Sequence, residues 1–290
     1  MSKNKTESLC GNTTLPGYRI HMALQSKGRI GKSTELLFRA AWLDSKKIGW
    51  GGIDLDNEHQ TFFGKYPLTV ELFPLEDEKE AVNGFSRMVK HFSVNFVNLV
   101  DIRAQATSLL FYGMERTDFF NIVSETGGKV TVFLYAGDDF DTMTSIQRVL
   151  EFCGNKVDYV TVLSPSISPV DLFLKSPLLM KMKDLGTSFV RIPFLSDSCR
   201  MELQQAAYRS SQPLNFFDIA NNETLPISPF TRFEFQRALK FTGDQYEKVQ
   251  AILLPDGLRK ESPVVSTEEV LTDPRQRIRR PVDPSLLYTI

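Results

Sequence analysis

Polar residues crowd the first seventeen positions, and from Tyr18 onward short β-type runs alternate with longer stretches of helical periodicity. The strand runs are Tyr18 to Leu24, Ile48 to Ile53, Thr69 to Phe73, Asn95 to Val100, Lys129 to Tyr135, Asp158 to Leu163 and Ser188 to Ile192. Between them the spacing of apolar positions predicts helices over Lys32 to Ser45, Asp77 to Phe92, Thr107 to Ser124, Asp141 to Cys153, Pro169 to Leu185, Ser198 to Arg209 and Pro229 to Leu253. Strands that alternate with helices of this length are joined by crossovers, so the pattern predicts the α/β class: a mostly parallel sheet flanked by helices. In the first helix Leu36, Leu37, Ala40, Ala41 and Leu43 mark one apolar face, and Glu35, Arg39 and Lys46 are expected to point to water.

This alternation bounds the organisation of the chain. Residues 1–17 read as a flexible leader, 18–254 as one domain, and 255–290 as an extended tail. The tail carries Pro255, Pro263, Pro274, Pro281 and Pro284, which regular helix does not sustain, together with Arg275, Arg277, Arg279 and Arg280. With 290 residues, 42% hydrophobic and 24% charged, the chain is long enough for a sizeable core and is neither fibrous nor globally disordered. The formal net charge of −1 gives no overall field to hold the molecule on nucleic acid or an anionic membrane, so any such contact needs a local patch. No stretch approaches the roughly 20 apolar residues of a spanning helix, and residues 1–16 lack the apolar core of a signal peptide. Cys10, Cys153 and Cys199 are far apart and without zinc-type spacing, which points to a reducing cytoplasm.

The chemistry concentrates in Lys27-Gly28-Arg29-Ile30-Gly31-Lys32-Ser33-Thr34, between the first strand run and the first helix. A glycine-containing turn that enters a helix aims successive backbone N–H groups at one point, where the helix N-terminus adds positive potential, so a polyphosphate binds there. Lys32 would reach the β- and γ-phosphates, and Ser33 would offer a hydroxyl to Mg²⁺. Ser26 stands where the general motif has its first glycine, and Lys27 opens the loop instead. In this the segment resembles the deviant Walker A loop of the ParA and MinD class of P-loop ATPases, which usually reads K-G-G-x-G-K-[ST]. The resemblance implies a P-loop NTPase fold, ATP and Mg²⁺ as ligands, and a Lys27 that reaches the nucleotide of a second subunit. Arg29 replaces a glycine of that pattern; it would crowd the phosphates or an opposing subunit unless the backbone kept an ordinary negative φ and turned the side chain outward.

Three acids follow at strand ends, where ligands of open α/β sheets bind. Asp54-Leu55-Asp56-Asn57 is similar to the class's D-x-D-P, with Asn57 in place of proline. By resemblance Asp54 lies near the Mg²⁺ shell and Asp56 orients the attacking water. Asp101, after the apolar run Val94 to Val100, looks like a Walker B acid that holds the metal through its water shell. Ile102 to Thr107 then reads as a second switch, with Gln105 facing the γ-phosphate. Pro193, in Ile192-Pro193-Phe194, matches the class's adenine loop, whereas Ser164-Pro165 lacks the Asn found there. No N-K-x-D or T-K-x-D appears, so guanine specificity has no carrier.

The resemblance implies an ATP-dependent homodimer that acts as a switch in the positioning, partition or transfer of DNA or a protein complex, with hydrolysis slow and stimulated by a partner. The run Thr61-Phe62-Phe63-Gly64-Lys65-Tyr66 is similar to the subset linked to plasmid stability and conjugal transfer. The alternatives are a nucleotide-dependent scaffold with little hydrolysis, which Arg29 and Asn57 motivate, and a kinase or iron–sulfur reductase on the same fold. No cysteine follows Asp101 to Thr107 to ligate a cluster, which disfavours the reductase.

Overall fold

A computed structural model describes residues 17–73, 75–164, 169–193, 195–210 and 213–259. The proposed leader up to position 16, Cys10, Pro165, Phe194 and the arginine segment Arg275 to Arg280 lie outside the described residues.

Seven strands form one all-parallel sheet: β1 (Tyr18–Met22), β2 (Trp50–Asp54), β3 (Val70–Leu72), β4 (Val97–Asp101), β5 (Gly128–Tyr135), β6 (Asp158–Leu163) and β7 (Ser188–Arg191), in the order β3-β2-β4-β1-β5-β6-β7. Each predicted strand run is present, and the α/β class is as expected. The helices are α1 (Lys32–Lys46), α2 (Thr61–Lys65), α3 (Glu78–Phe92), α4 (Thr107–Arg116), α5 (Phe119–Glu125), α6 (Phe140–Cys153), α7 (Pro177–Asp184), α8 (Asp197–Arg209), α9 (Phe216–Asn221), α10 (Pro229–Lys248) and α11 (Gln250–Leu253).

Side chains alternate across each strand, so β5 sends Val130, Val132 and Leu134 into one core and Phe133 and Tyr135 into the other. The first core packs the sheet against α3 to α7 through residues such as Phe85, Leu110, Phe119, Ile146 and Met182. The second packs it against α1, α2 and α8 to α11 through Leu37, Phe62, Leu203, Ile219, Phe235 and Leu253. β1 lies between β4 and β5, where the chain turns from building one half of the sheet to building the other. The carboxyl ends of the strands at that switch point leave a crevice, and the Lys27–Thr34 loop sits there.

Tertiary packing corrects several helix expectations. The stretch Thr107 to Ser124 breaks at Asp118, which takes a left-handed φ of 49°, so that Phe119 turns inward and meets Phe85 edge-on with ring centroids 5.3 Å apart. Helix over Pro169 to Leu185 begins only at Pro177, whose missing N–H suits a first helical position but not an interior one. Pro229 to Leu253 divides at Val249 into α10 and α11. Two short helices, α2 and α9, were not expected.

The largest correction concerns α1. Glu35 and Arg39 do not face water, because both lie buried where α1 meets β5 and α10, against Phe133 and Tyr135 of the strand and Tyr246 of the helix. The Glu35 carboxylate accepts hydrogen bonds from Arg39 Nη2 at 2.8 Å, Tyr135 Oη at 2.6 Å and Tyr246 Oη at 2.7 Å. The guanidinium also lies over the Phe133 ring, 3.5 Å from its centroid. Lys46 is exposed as expected and pairs with Glu247.

Candidate functional site

The Lys27–Thr34 loop is held at its start by Gln25, whose side-chain amide donates to the Tyr135 carbonyl at 3.1 Å and to Ser145 Oγ at 3.2 Å. Its Oε1 accepts the Tyr135 N–H in return. The Gln25 carbonyl is thereby fixed, and Lys32 Nζ donates to it at 2.7 Å. Lys32 is buried, and desolvation pushes its ammonium down to about 8 against the opposing pull of Asp101 and Asp56.

Arg29 at φ 58° and Gly31 at φ 86° both occupy the left-handed region. The negative φ that would have turned Arg29 outward is not adopted; its side chain is exposed all the same, and the backbone carries a strain of about 1 kcal/mol. A left-handed residue on each side of Ile30 curls the chain so that successive N–H groups converge, the geometry of an anion-binding nest. Gly31 is also the N-cap of α1 and brings no side-chain acceptor, which leaves the helix's first amides facing into the loop.

The three predicted acids gather beside this loop. Asp54 and Asp101 are paired in register across β2 and β4, and Ser33 Oγ donates to Asp101 Oδ1 at 3.3 Å. Burial, with the neighbouring Asp54 charge adding to it, raises the Asp101 carboxyl to about 6, opposed by Ser33, Lys32 and the Ile102 amide. Asp54 is fully buried, and both its oxygens serve the backbone: Oδ1 accepts from Asp56 N–H at 2.9 Å, and Oδ2 accepts from Phe62 and Phe63 at 3.1 and 3.0 Å. These last two bonds start α2. Asp56 Oδ1 in turn accepts from Glu58 and His59 at 3.0 and 3.1 Å and shapes the following turn.

Among the described residues no group of three or more His, Cys, Asp and Glu could hold a metal. A hydroxyl and a carboxylate at the foot of a phosphate-type loop nevertheless fit Mg²⁺, which keeps several waters and takes one or two protein oxygens. Ser33 and Asp101 meet that description.

The other predicted residues are more dispersed. Lys27 Nζ stands 3.3 Å from Asp139 Oδ1 and 3.4 Å from Asp141 Oδ2, at the first turn of α6, and the two carboxylates raise its pKa. Gly28 lies against the Ala104–Ala106 turn: a Cβ built on it would meet Ala104 Cβ at 3.6 Å. Thr34 is exposed on the first turn of α1. Pro193 follows β7, with β5 and β6 between that strand and β1. Gln105 accepts from Arg103 at 3.3 Å. Sequence reasoning missed Gln25, Tyr135, Asp139 and Asp141, and it placed Arg103 in the Ile102–Thr107 segment without giving it a role. Gln25 could have been marked by its place directly before the loop; the others reach it only through the fold.

A scan against protein-family models and a search of curated proteins both find no match. Among solved structures, the MinD cell division protein of Aquifex aeolicus is similar at a TM-score of 0.46 and 14% identity, with 86% of this chain and 100% of that one covered. A nucleotide-binding protein in complex with ADP from Archaeoglobus fulgidus scores 0.40 at 14% identity, covering 62% of this chain and 83% of that one. FlhF complexed with GMPPNP and Mg²⁺ scores 0.33 at 16% identity, covering 60% and 63%. At these scores the functional reading stands on the loop residues alone.

Proposed function

We propose that the chain is a P-loop NTPase of the deviant Walker A type that binds ATP with Mg²⁺ and hydrolyses it as a dimerisation switch of the ParA and MinD kind. The observation that carries the reading is the Lys27–Thr34 loop, a nest of main-chain amides between β1 and α1, closed by Lys32 folded onto the Gln25 carbonyl. A cation held by a single carbonyl at the mouth of a helix has a better acceptor in a phosphate oxygen.

In this reading the amides of Gly28 to Thr34 and the Lys32 ammonium hold the phosphates, Ser33 and Asp101 face the metal, and Pro193 borders the base. Ser33 and Asp101 are the residues that would hold Mg²⁺, which when bound would supply positive charge against the negative charge that develops during phosphoryl transfer. Asp54, with its oxygens on backbone donors, acts by fixing the loop that carries Asp56, and Asp56 positions water. Lys27 is held by Asp139 and Asp141 of its own chain, so its reach to a second subunit requires exchange of that contact. A cytoplasmic site of action and a partner in DNA partition or transfer belong to the same reading. Among the described residues no helix is long and apolar enough to cross a membrane.

Calorimetry with ATP and Mg²⁺ tests the binding: the full chain binds, and Lys32→Ala weakens binding about 10- to 100-fold, as the loss of a charged hydrogen bond implies. No heat from the intact protein refutes the proposal. Sizing of Asp56→Ala with ATP tests the switch, with dimer expected to accumulate. The second reading is a scaffold without turnover, favoured by the left-handed Arg29 and by the use of Asp56 Oδ1 as a turn cap. Phosphate release that depends on Lys32 excludes it.

A further inference from the structure

The two acidic loops are joined by a residue that the loop chemistry does not call for. Arg103 follows Asp101 by two positions and opens the short turn Ala104–Ala106. That stretch is fastened to the phosphate loop on both sides of Arg103. Ser33 Oγ binds Asp101 before it, and after it Ala104 lies against Gly28 while Thr107 Oγ1 donates to the Leu24 carbonyl at 3.1 Å. From this fixed base the guanidinium reaches across to the tip of the first acidic loop: Nη1 donates to Asn57 Oδ1 at 3.2 Å and stands 3.0 Å from Glu58 Oε1. Its Nη2 donates to Gln105 Oε1 at 3.3 Å.

The tip is otherwise lightly held. Among the described residues Asp56 Oδ1 binds only the amides of the turn it belongs to, and beyond its own loop Asn57 has Glu76 Oε1 as its other side-chain partner, at 3.2 Å. Asn57 and Glu58 directly follow Asp56, so whatever fixes them fixes the Asp56 carboxylate relative to Ser33 and Lys32.

We propose that Arg103 is a positioning residue that ties the Asp54–Gln60 loop to the phosphate loop and so sets where Asp56 stands. The planar fork is what permits three acceptors at once, an arrangement that an ammonium group does not reproduce. Arg103 and Glu58 are 30% and 59% exposed, so water screens the pair and its removal leaves the fold intact. Its role is local geometry.

The kinetic half of the test rests on the hydrolysis reading; the exchange half does not. In the nucleotide-free full chain, Arg103→Ala speeds amide hydrogen exchange over residues 56–60 about two- to fivefold and leaves α1 unchanged. The pair Asn57→Ala with Glu58→Ala does the same, and Arg103→Lys is intermediate. With ATP and Mg²⁺, Arg103→Ala lowers kcat about tenfold with KM within about twofold, because misplacing a water-positioning group slows chemistry without loosening the phosphates. Unchanged exchange over 56–60 in Arg103→Ala overturns the proposal. A raised KM at unchanged kcat also overturns it, since Arg103 would then be a phosphate contact. If wild-type protein binds no nucleotide, the hydrolysis reading falls while the exchange measurement still decides the tie.

Discussion

Replacing Glu35 by alanine should be among the most damaging single changes outside the hydrophobic cores. The carboxylate is 1% exposed and its partner Arg39 fully buried, and Arg39 Nε and Nη1 already lack hydrogen-bond partners. Glu35→Ala therefore strands a guanidinium in the interior, at about 3–5 kcal/mol. It also removes the acceptor of two tyrosine hydroxyls, at about 1 kcal/mol each. The sum, about 5–7 kcal/mol, is comparable with the whole stability of many domains. At about 2–4 °C per kcal/mol it lowers Tm by roughly 10 °C or more. The informative comparison is the double variant Glu35→Leu with Arg39→Met, which takes both charges out of the interior and fills the space with apolar atoms. Breaking a buried pair is far more costly than replacing it, so the double variant should recover most of the loss. Urea unfolding of the two single variants and the double gives the coupling directly. A single-variant loss under about 1 kcal/mol, or a double variant no better than Glu35→Ala, would refute the reasoning.

Two pH dependences follow from burial. Burial lowers the Lys32 ammonium to about 8, whereas phosphate oxygens would hold its proton to higher pH. Binding above pH 8 thus takes up a proton, and ATP affinity should fall roughly tenfold per pH unit there; calorimetry in buffers of different ionisation heat shows whether the uptake occurs, and a flat affinity from pH 7 to about 9.5 would contradict it. His21 is the second case: burial first, then the Arg39 charge, depresses its pKa well below 6.5. The unfolded chain takes a proton near 6.5 that the folded chain refuses, so stability is present above that pH and lost as pH falls through it, by about 1.4 kcal/mol per pH unit. Urea midpoints between about pH 5 and 7 should be flatter by one proton in His21→Leu than in wild type, and equal slopes would exclude His21 as the source.

By itself the sequence determined the seven strands, the α/β class and the loop between β1 and α1. Each of these is a local signal, carried by apolar runs of strand length or by Gly31-Lys32-Ser33 at a strand-to-helix junction. Asp54, Asp56 and Asp101 were legible too, because a carboxylate just past a β-run falls at the sheet's carboxyl edge wherever the strand lies in the order. What only the tertiary structure decided is the use of those groups. Helical periodicity places Glu35 and Arg39 off the apolar face, yet β5 and α10 arrive from far along the chain and bury them between Phe133, Tyr135 and Tyr246. Asp54 became the cap of a helix that has too few residues to announce itself. Lys27 found Asp139 and Asp141, and Arg103 found Asn57 and Glu58, through strand adjacency that no spacing encodes. A pattern along the chain reports which face of an element is apolar; which elements then meet, and so which charges are paired, follows from how the crossovers stack.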